Sequence, residues 1–246
     1  MVRSGYNEMW IHLKAGIVNS NSTKNTKHLN IGIKDLLQCV RYTAGLAVCG
    51  LVIYYLTKID LGLAPWEVLS KGLSLHVPLS FGQVIIAISA VVLVLDVIMK
   101  EKIGIGMILD VFLVGVFVDI FTMLDPLPEI GSFPVKIAVY CVSIFVMGFA
   151  QFLCMSAGQG MGPRDALLVG IGKRMRKIPI GGVQMMLLCS VLAIGWMLGG
   201  PVGVGTLIMM VGLGPALQVW CIVFRTELRD VEHKGLLDYV VRQQDI

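Results

Sequence analysis

No Asp, Glu, Lys or Arg occurs between Ile178 and Phe224, a run of 47 residues. A membrane-crossing helix needs about 20 mostly apolar residues, so the run is too long for one crossing. Gly199-Gly200-Pro201 stands near its middle and is a turn signal. The run therefore reads as two helices, about Ile180–Leu198 and about Val202–Phe224. Four further apolar segments precede it: about Leu36–Thr57 (with Arg41 near its start), Leu79–Met99, Ile103–Leu124 (with Asp110 and Asp119) and Lys136–Met155. The expected fold is all-α, a polytopic membrane helix bundle of six spans.

Composition agrees. Hydrophobic residues make up 56% and charged residues 15%, against about 25% charged in an ordinary soluble domain. Too little polar surface is available to cover a water-soluble fold. An ordinary cytosolic enzyme, a nucleic-acid-binding domain and a disordered chain are excluded. With six spans, 17 of the 20 Lys and Arg residues fall on one side: the first tail, the loop at Lys100–Lys102, the loop Arg164–Lys177 and the last tail. Only Lys58, Lys71 and Lys136 fall on the other. The positive-inside rule then predicts cytoplasmic termini. The expected parts are a flexible cytoplasmic tail 1–35, membrane segments 36–125 and 134–225, and a cytoplasmic tail 226–246. No signal-peptide pattern opens the chain.

The two membrane segments repeat one another. GLAPWEVLSKGL at 62–73 aligns with GMGPRDALLVGI at 160–171, an offset of 98 that pairs Gly62 with Gly160, Pro65 with Pro163 and Glu67 with Asp165. At an offset of 99, Gly82 meets Gly181, Gly104 and Gly106 meet Gly203 and Gly205, and Gly115 meets Gly214. Each half then holds three spans and one short Gly-x-x-Pro segment. An odd number of spans turns the second half upside down, which gives two inverted three-span repeats.

Pro65 and Pro163 suit the first position of a helix, where a missing N–H costs nothing. Glu67 and Asp165 then complement the positive end of the helix dipole. The expected helices of about 10–12 residues would be roughly 15–18 Å long, too short to cross a bilayer. They either re-enter and offer backbone N–H groups to a ligand, or lie at the surface with ordinary caps. Gly62, Gly160 and Gly162 permit close backbone approach in both cases.

The motifs GLAPWEVLSKGL, IGIGMILDVFLVGVFVDIF, GMGPRDALLVGIGKR and GGPVGVGTLI resemble the YczE/YyaS/YitT-type family of bacterial integral membrane proteins. The resemblance covers about residues 40–225. It implies a multispan protein of the bacterial inner membrane and no defined substrate. Ala64-Pro65-Trp66-Glu67 stands where the family tends to have Gly-Pro-Trp-Asp, Gly162-Pro163-Arg164-Asp165 fits, and Asp110 stands where Asn is frequent.

Intramembrane carboxylates are costly and usually face a bundle interior or water. Asp110 and Asp119 are nine residues apart and point to opposite faces of a straight helix. Asp119, paired by the repeat with the polar Gln218, is the preferred candidate for proton or cation coupling; otherwise it is a helix-end carboxylate. Asp96 reads as interfacial. Arg164, standing where the first half has Trp66, either attracts an anionic group or pairs with Asp165 and adds to the positive side. Gln151 and Gln184 suit hydrogen bonds between helices. The fourteen methionines and six cysteines read as packing residues, and Trp66, Trp196 and Trp220 as interfacial anchors.

No HExxH, GxSxG, nucleotide loop or zinc spacing is present, and the expectation is a non-enzyme with no cofactor and no metal. The leading functional expectation is a secondary transporter or permease for a small solute, an anionic one if Arg164 and the helix starts select it. Its site would comprise Gly62, Pro65, Glu67, Asp119, Gly160, Pro163, Arg164, Asp165 and Gln218. The expected partners are membrane lipid, the solute and, for a bundle of this size, a second copy in a homodimer; nucleic acid is not one. The alternative is a non-transporting membrane partner or assembly factor that contacts another complex through Arg164–Lys177 and the last tail.

Overall fold

The computed structural model describes residues 33–175 and 177–226. The tails expected at 1–35 and 226–246 lie almost wholly outside the described residues, as does Arg176 of the basic loop. Within them are eight helices: α1 (Ile33–Ile59), α2 (Pro65–Ser74), α3 (Phe81–Ile98), α4 (Ile105–Leu124), α5 (Phe133–Ser156), α6 (Pro163–Arg174), α7 (Ile180–Met197) and α8 (Val204–Val223). Six of them, all but α2 and α6, are long and apolar enough to cross a membrane. They correspond to the six segments read from the sequence, with ends displaced by a few residues. α2 and α6 have 10 and 12 residues.

α1 packs against α4 and α5, α5 also holds α8, and α3 holds α4. The short helices cross between the halves: α2 packs on α7 and α3, and α6 packs on α3 and α7. α1, α4 and α7 begin on one side, the near side, and end on the far side. Helices in lipid gain little from burying apolar surface against one another, so close association depends on small residues and hydrogen bonds. The α3–α4 seam shows this. A Cβ at Gly82 would overlap the Gly115 carbonyl oxygen, and one at Gly115 the Gly82 oxygen. Only glycine at both positions permits so close a crossing.

The far end of that seam is tied by polar groups. Ser80 caps α3: its hydroxyl accepts from Gln83 N at 3.1 Å, while Gln83 Oε1 accepts from Ser80 N at 3.0 Å. This reciprocal box satisfies two helix-start groups. Asp119 of α4 accepts from the Ser80 hydroxyl and, at 2.9 Å, from Gly82 N. Ser80→Ala removes both the cap and one Asp119 bond. It is expected to cost about 1 kcal/mol, read as a lower unfolding midpoint in detergent; an unchanged midpoint would mean the cap is idle.

A second far-side tie joins α1 to the end of α4. Lys58 Nζ lies 2.6 Å from Asp125 Oδ1 and donates to Leu127 O at 2.8 Å, and Tyr54 donates to Asp125. Lys58 first, then Tyr54, holds the Asp125 carboxyl below its ordinary value. Its contribution is present above the unfolded carboxylate value and is lost as pH falls through the depressed one. On the near side, Trp220 packs on Phe145 and Phe149, and its indole N–H donates to Phe145 O at 2.9 Å. Trp220 is thus part of the α5–α8 contact as well as a ring near a helix end.

Candidate functional site

α2 and α6 each follow a glycine that no other residue would replace without strain. Gly62 has φ +104° and Gly160 has φ +108°. The residue before each glycine presents its carbonyl to the other half: Leu61 O accepts from Gly205 N at 2.7 Å, and Gln159 O accepts from Gly106 N at 2.8 Å. Tyr140 lies against Gly205 and donates to Gly62 O at 3.0 Å, while Tyr42 lies against Gly106. Pro65 and Pro163 then open the two helices as their first residues. Each helix is locked at its start to the opposite half.

The two starts meet beside a cavity of about 620 Å³. Drug-sized ligand sites fall at about 300–1,000 Å³. Its polar pole holds Glu67, Arg164, Asp110 and Asp165, with Trp66 and Tyr42. Arg164 Nη1 lies 2.5 Å from Glu67 Oε1, and its guanidinium sits 5.3 Å from the Trp66 ring centroid. Glu67 is only 5% exposed. The sequence suggested Asp165 as the partner of Arg164; the hydrogen bond instead runs to the acid of the other half. Asp110 faces Gly162, where an added Cβ would lie 2.9 Å from its Oδ2. It makes no hydrogen bond or ion pair with a described residue, and feels Arg164, Asp165 and Glu67 through space.

Away from this pole, Ser89, Gln151 and Gln184 are the main polar side chains of a largely apolar wall. Six of the fourteen methionines line it: Met147, Met155, Met161, Met185, Met209 and Met210. They are scattered along the chain and gather only in the fold.

Of the residues expected at a site, Pro65, Glu67, Gly160, Arg164 and Asp165 line the cavity. Gly62 and Pro163 shape the helix starts behind it. Asp119 is at the α3–α4 seam, away from the cavity, and Gln218 is on the exposed face of α8. Asp110, the less favoured acid, is the one that reaches the cavity. Trp66, expected as an interfacial anchor, forms part of the cavity wall. Asp96, two residues before the end of α3, is fully buried, and neither carboxylate oxygen has a hydrogen-bond partner among the described residues. Among these residues no group of His, Cys, Asp or Glu is arranged to hold a metal.

A family profile described as "Family of unknown function (DUF6198)" matches residues 36–221. The chain belongs to this family. The DUF6198 match takes in every residue that lines the cavity. The chain is 30% identical over 159 residues to "Uncharacterized membrane protein YczE" of Bacillus subtilis, covering 64% of this chain and 73% of that one. It is 32% identical over 159 residues to "Uncharacterized protein" of Haemophilus influenzae, covering 64% and 71% respectively. No solved structure matches. The YczE-type resemblance carried by the motifs is therefore upheld, and this DUF6198 member is a multi-pass integral membrane protein.

Proposed function

We propose that the protein is a secondary transporter built from two inverted repeats, with its solute site in the cavity where α2 and α6 meet. Support for the repeat comes from geometry that recurs at the offsets read from the sequence. The Leu61–Gly205 and Gln159–Gly106 hydrogen bonds correspond, as do the left-handed Gly62 and Gly160 and the wedged Tyr42 and Tyr140. Three spans in each half give opposite orientations, and the near side, which carries most of the basic residues, would be cytoplasmic.

One observation carries the transport reading: the two corresponding seams are in different states. α3 and α4 touch through Gly82 and Gly115. Their counterparts on α7 and α8, Gly181 and Gly214, have nothing within 4 Å of where a Cβ would stand. The far seam is zipped while the near seam is open. If the halves exchanged these states, the cavity would close on the near side and open on the far side, which is alternating access. Gln218, the counterpart of Asp119 at the offset of 99, would accept from Gly181 N in the zipped form. Pro215 leaves the Val211 carbonyl without its helical donor, so α8 can bend at the depth of the open seam.

The anion expected from Arg164 is not retained. Its guanidinium is engaged by Glu67, and no second cation lines the cavity among the described residues.

The test is sided labelling of Gln184→Cys, a cavity position, in a cysteine-depleted background. A membrane-impermeant thiol reagent should label it from the near side. Asp119→Asn, which weakens the far-seam tie, should raise labelling from the far side. Labelling from neither side, or near-side labelling that no variant shifts, would contradict transport and favour a fixed membrane partner.

A further inference from the structure

We infer that the cavity takes an amphipathic organic cation, its charged head on Asp110 and its apolar body along the methionine wall, entering from the lipid between α7 and α8. The inference rests on the cavity being the solute site proposed above, and it adds the ligand's charge, its shape and its route.

The charge follows from the polar pole. Arg164 is engaged by Glu67, and its other side lies over Trp66. Asp110 keeps no hydrogen-bonding or ion-pairing partner among the described residues, yet lines the cavity. An intramembrane carboxylate in that position is costly unless a cation or proton neutralises it. An organic anion would meet Asp110 and Glu67 with no uncommitted cation among the described lining residues to receive it.

The shape follows from the remaining wall. Unbranched thioether side chains repack around irregular apolar bodies and are favoured on surfaces that accept varied ligands. Met147, Met209 and Met210 lie on that wall with leucines of α7 and α8 beside them. A small hydrated cation would leave this surface unused.

The route follows from the mouth. Met185 and Val211 both line the cavity and keep 54% and 76% exposure, so the cavity is open beside them. Met185 stands about 8 Å along α7 from its near end, and Val211 about 10 Å along α8 from its far end. Both depths fall within a hydrocarbon core of about 30 Å. The gap left by Gly181 and Gly214 therefore opens sideways into lipid, where an amphipathic solute concentrates.

The experiment is equilibrium binding to the full chain in nanodiscs of zwitterionic lipid, with empty nanodiscs as the baseline. Three probes separate the claims: tetraphenylphosphonium, tetraphenylborate of the same shape and opposite charge, and tetramethylammonium with the charge but no apolar body. Saturable binding is expected for tetraphenylphosphonium alone, at least about tenfold tighter than for either other probe, and weakened about tenfold or more by Asp110→Asn. Equal binding of the borate would overturn the charge assignment. Equal binding of tetramethylammonium would overturn the amphipathic one. No saturable tetraphenylphosphonium binding would overturn both. The wild-type ranking needs no variant, so it stands even if Asp110→Asn fails to fold. Absent binding in a protein whose seams still switch would retire the ligand class and leave transport; binding with fixed seams would do the reverse.

Discussion

Alanine at Gly82 or Gly115 is expected to destabilise the protein by about 2–3 kcal/mol, the upper part of the range for forcing extra atoms into a filled contact. Alanine at Gly181 or Gly214 is expected to cost nothing, and to gain up to about 1 kcal/mol from helix propensity. The four positions correspond in sequence and lie in the same kind of helix, so the difference isolates the state of the seam. At Gly82 and Gly115 the new methyl would meet a backbone oxygen, which cannot rotate away. The helices would have to separate, and the Asp119 bonds to Ser80 and Gly82 would stretch with them. At Gly181 and Gly214 the methyl meets open space. Unfolding midpoints of the four variants, measured side by side in one detergent, check this. Equal losses at all four would mean that both seams are closed in the protein studied. A larger residue sharpens the functional side. Gly214→Leu should fold normally and still abolish any process that requires α7 and α8 to meet.

The second large effect concerns the Glu67–Arg164 pair. Removing one member of a buried ion pair strands the other charge, at a cost of about 3–5 kcal/mol when burial is complete. Glu67 is nearly buried, while the Arg164 side chain keeps 25% exposure toward the cavity. The expected loss is therefore lower, about 2–3 kcal/mol for Glu67→Gln or Arg164→Gln alone. The double variant should lose less than the sum, by about 1–3 kcal/mol, because neither charge is then stranded. The pair joins the starts of two helices from different halves, so the coupling reports how firmly those starts are held together. Strict additivity would mean that the two side chains do not meet in the folded protein.

Much of the fold was legible because membrane spans are written in composition. The uncharged run from Ile178 to Phe224, split at Gly199-Gly200-Pro201, became α7 and α8 with ends moved by one or two residues. The prolines announced the starts of α2 and α6, since a residue without an N–H fits there best. The site was legible only in part. Their nine-residue spacing puts Asp110 and Asp119 on opposite faces of α4. Which face meets a cavity was hidden, because an apolar helix carries no polar stripe to mark its outside. The signal for Asp119 was nonetheless present: Ser80-x-x-Gln83 announces a helix start, and an N-terminus attracts a carboxylate. The Arg164–Glu67 pair is not legible in the sequence, where Asp165 is the nearer acid. Tyr42 on α1 and Tyr140 on α5 share the offset of 98, a match that only their contacts with Gly106 and Gly205 make conspicuous. The methionine wall had no signature at all, since its members are far apart in the chain and adjacent only after folding.

The proposed transport cycle depends most on two seams that exchange states. The direct measurement is a pair of distance distributions by spin-label spectroscopy in nanodiscs, one across α3–α4 and one across α7–α8, with and without tetraphenylphosphonium. Two populations are expected at each seam, and any condition that lengthens one distance should shorten the other. Asp119→Asn should shift both toward an open far seam and a closed near seam. A single unchanging distance at each seam, under every ligand and in that variant, would contradict alternating access and leave the cavity as a fixed feature of a membrane protein that does not transport.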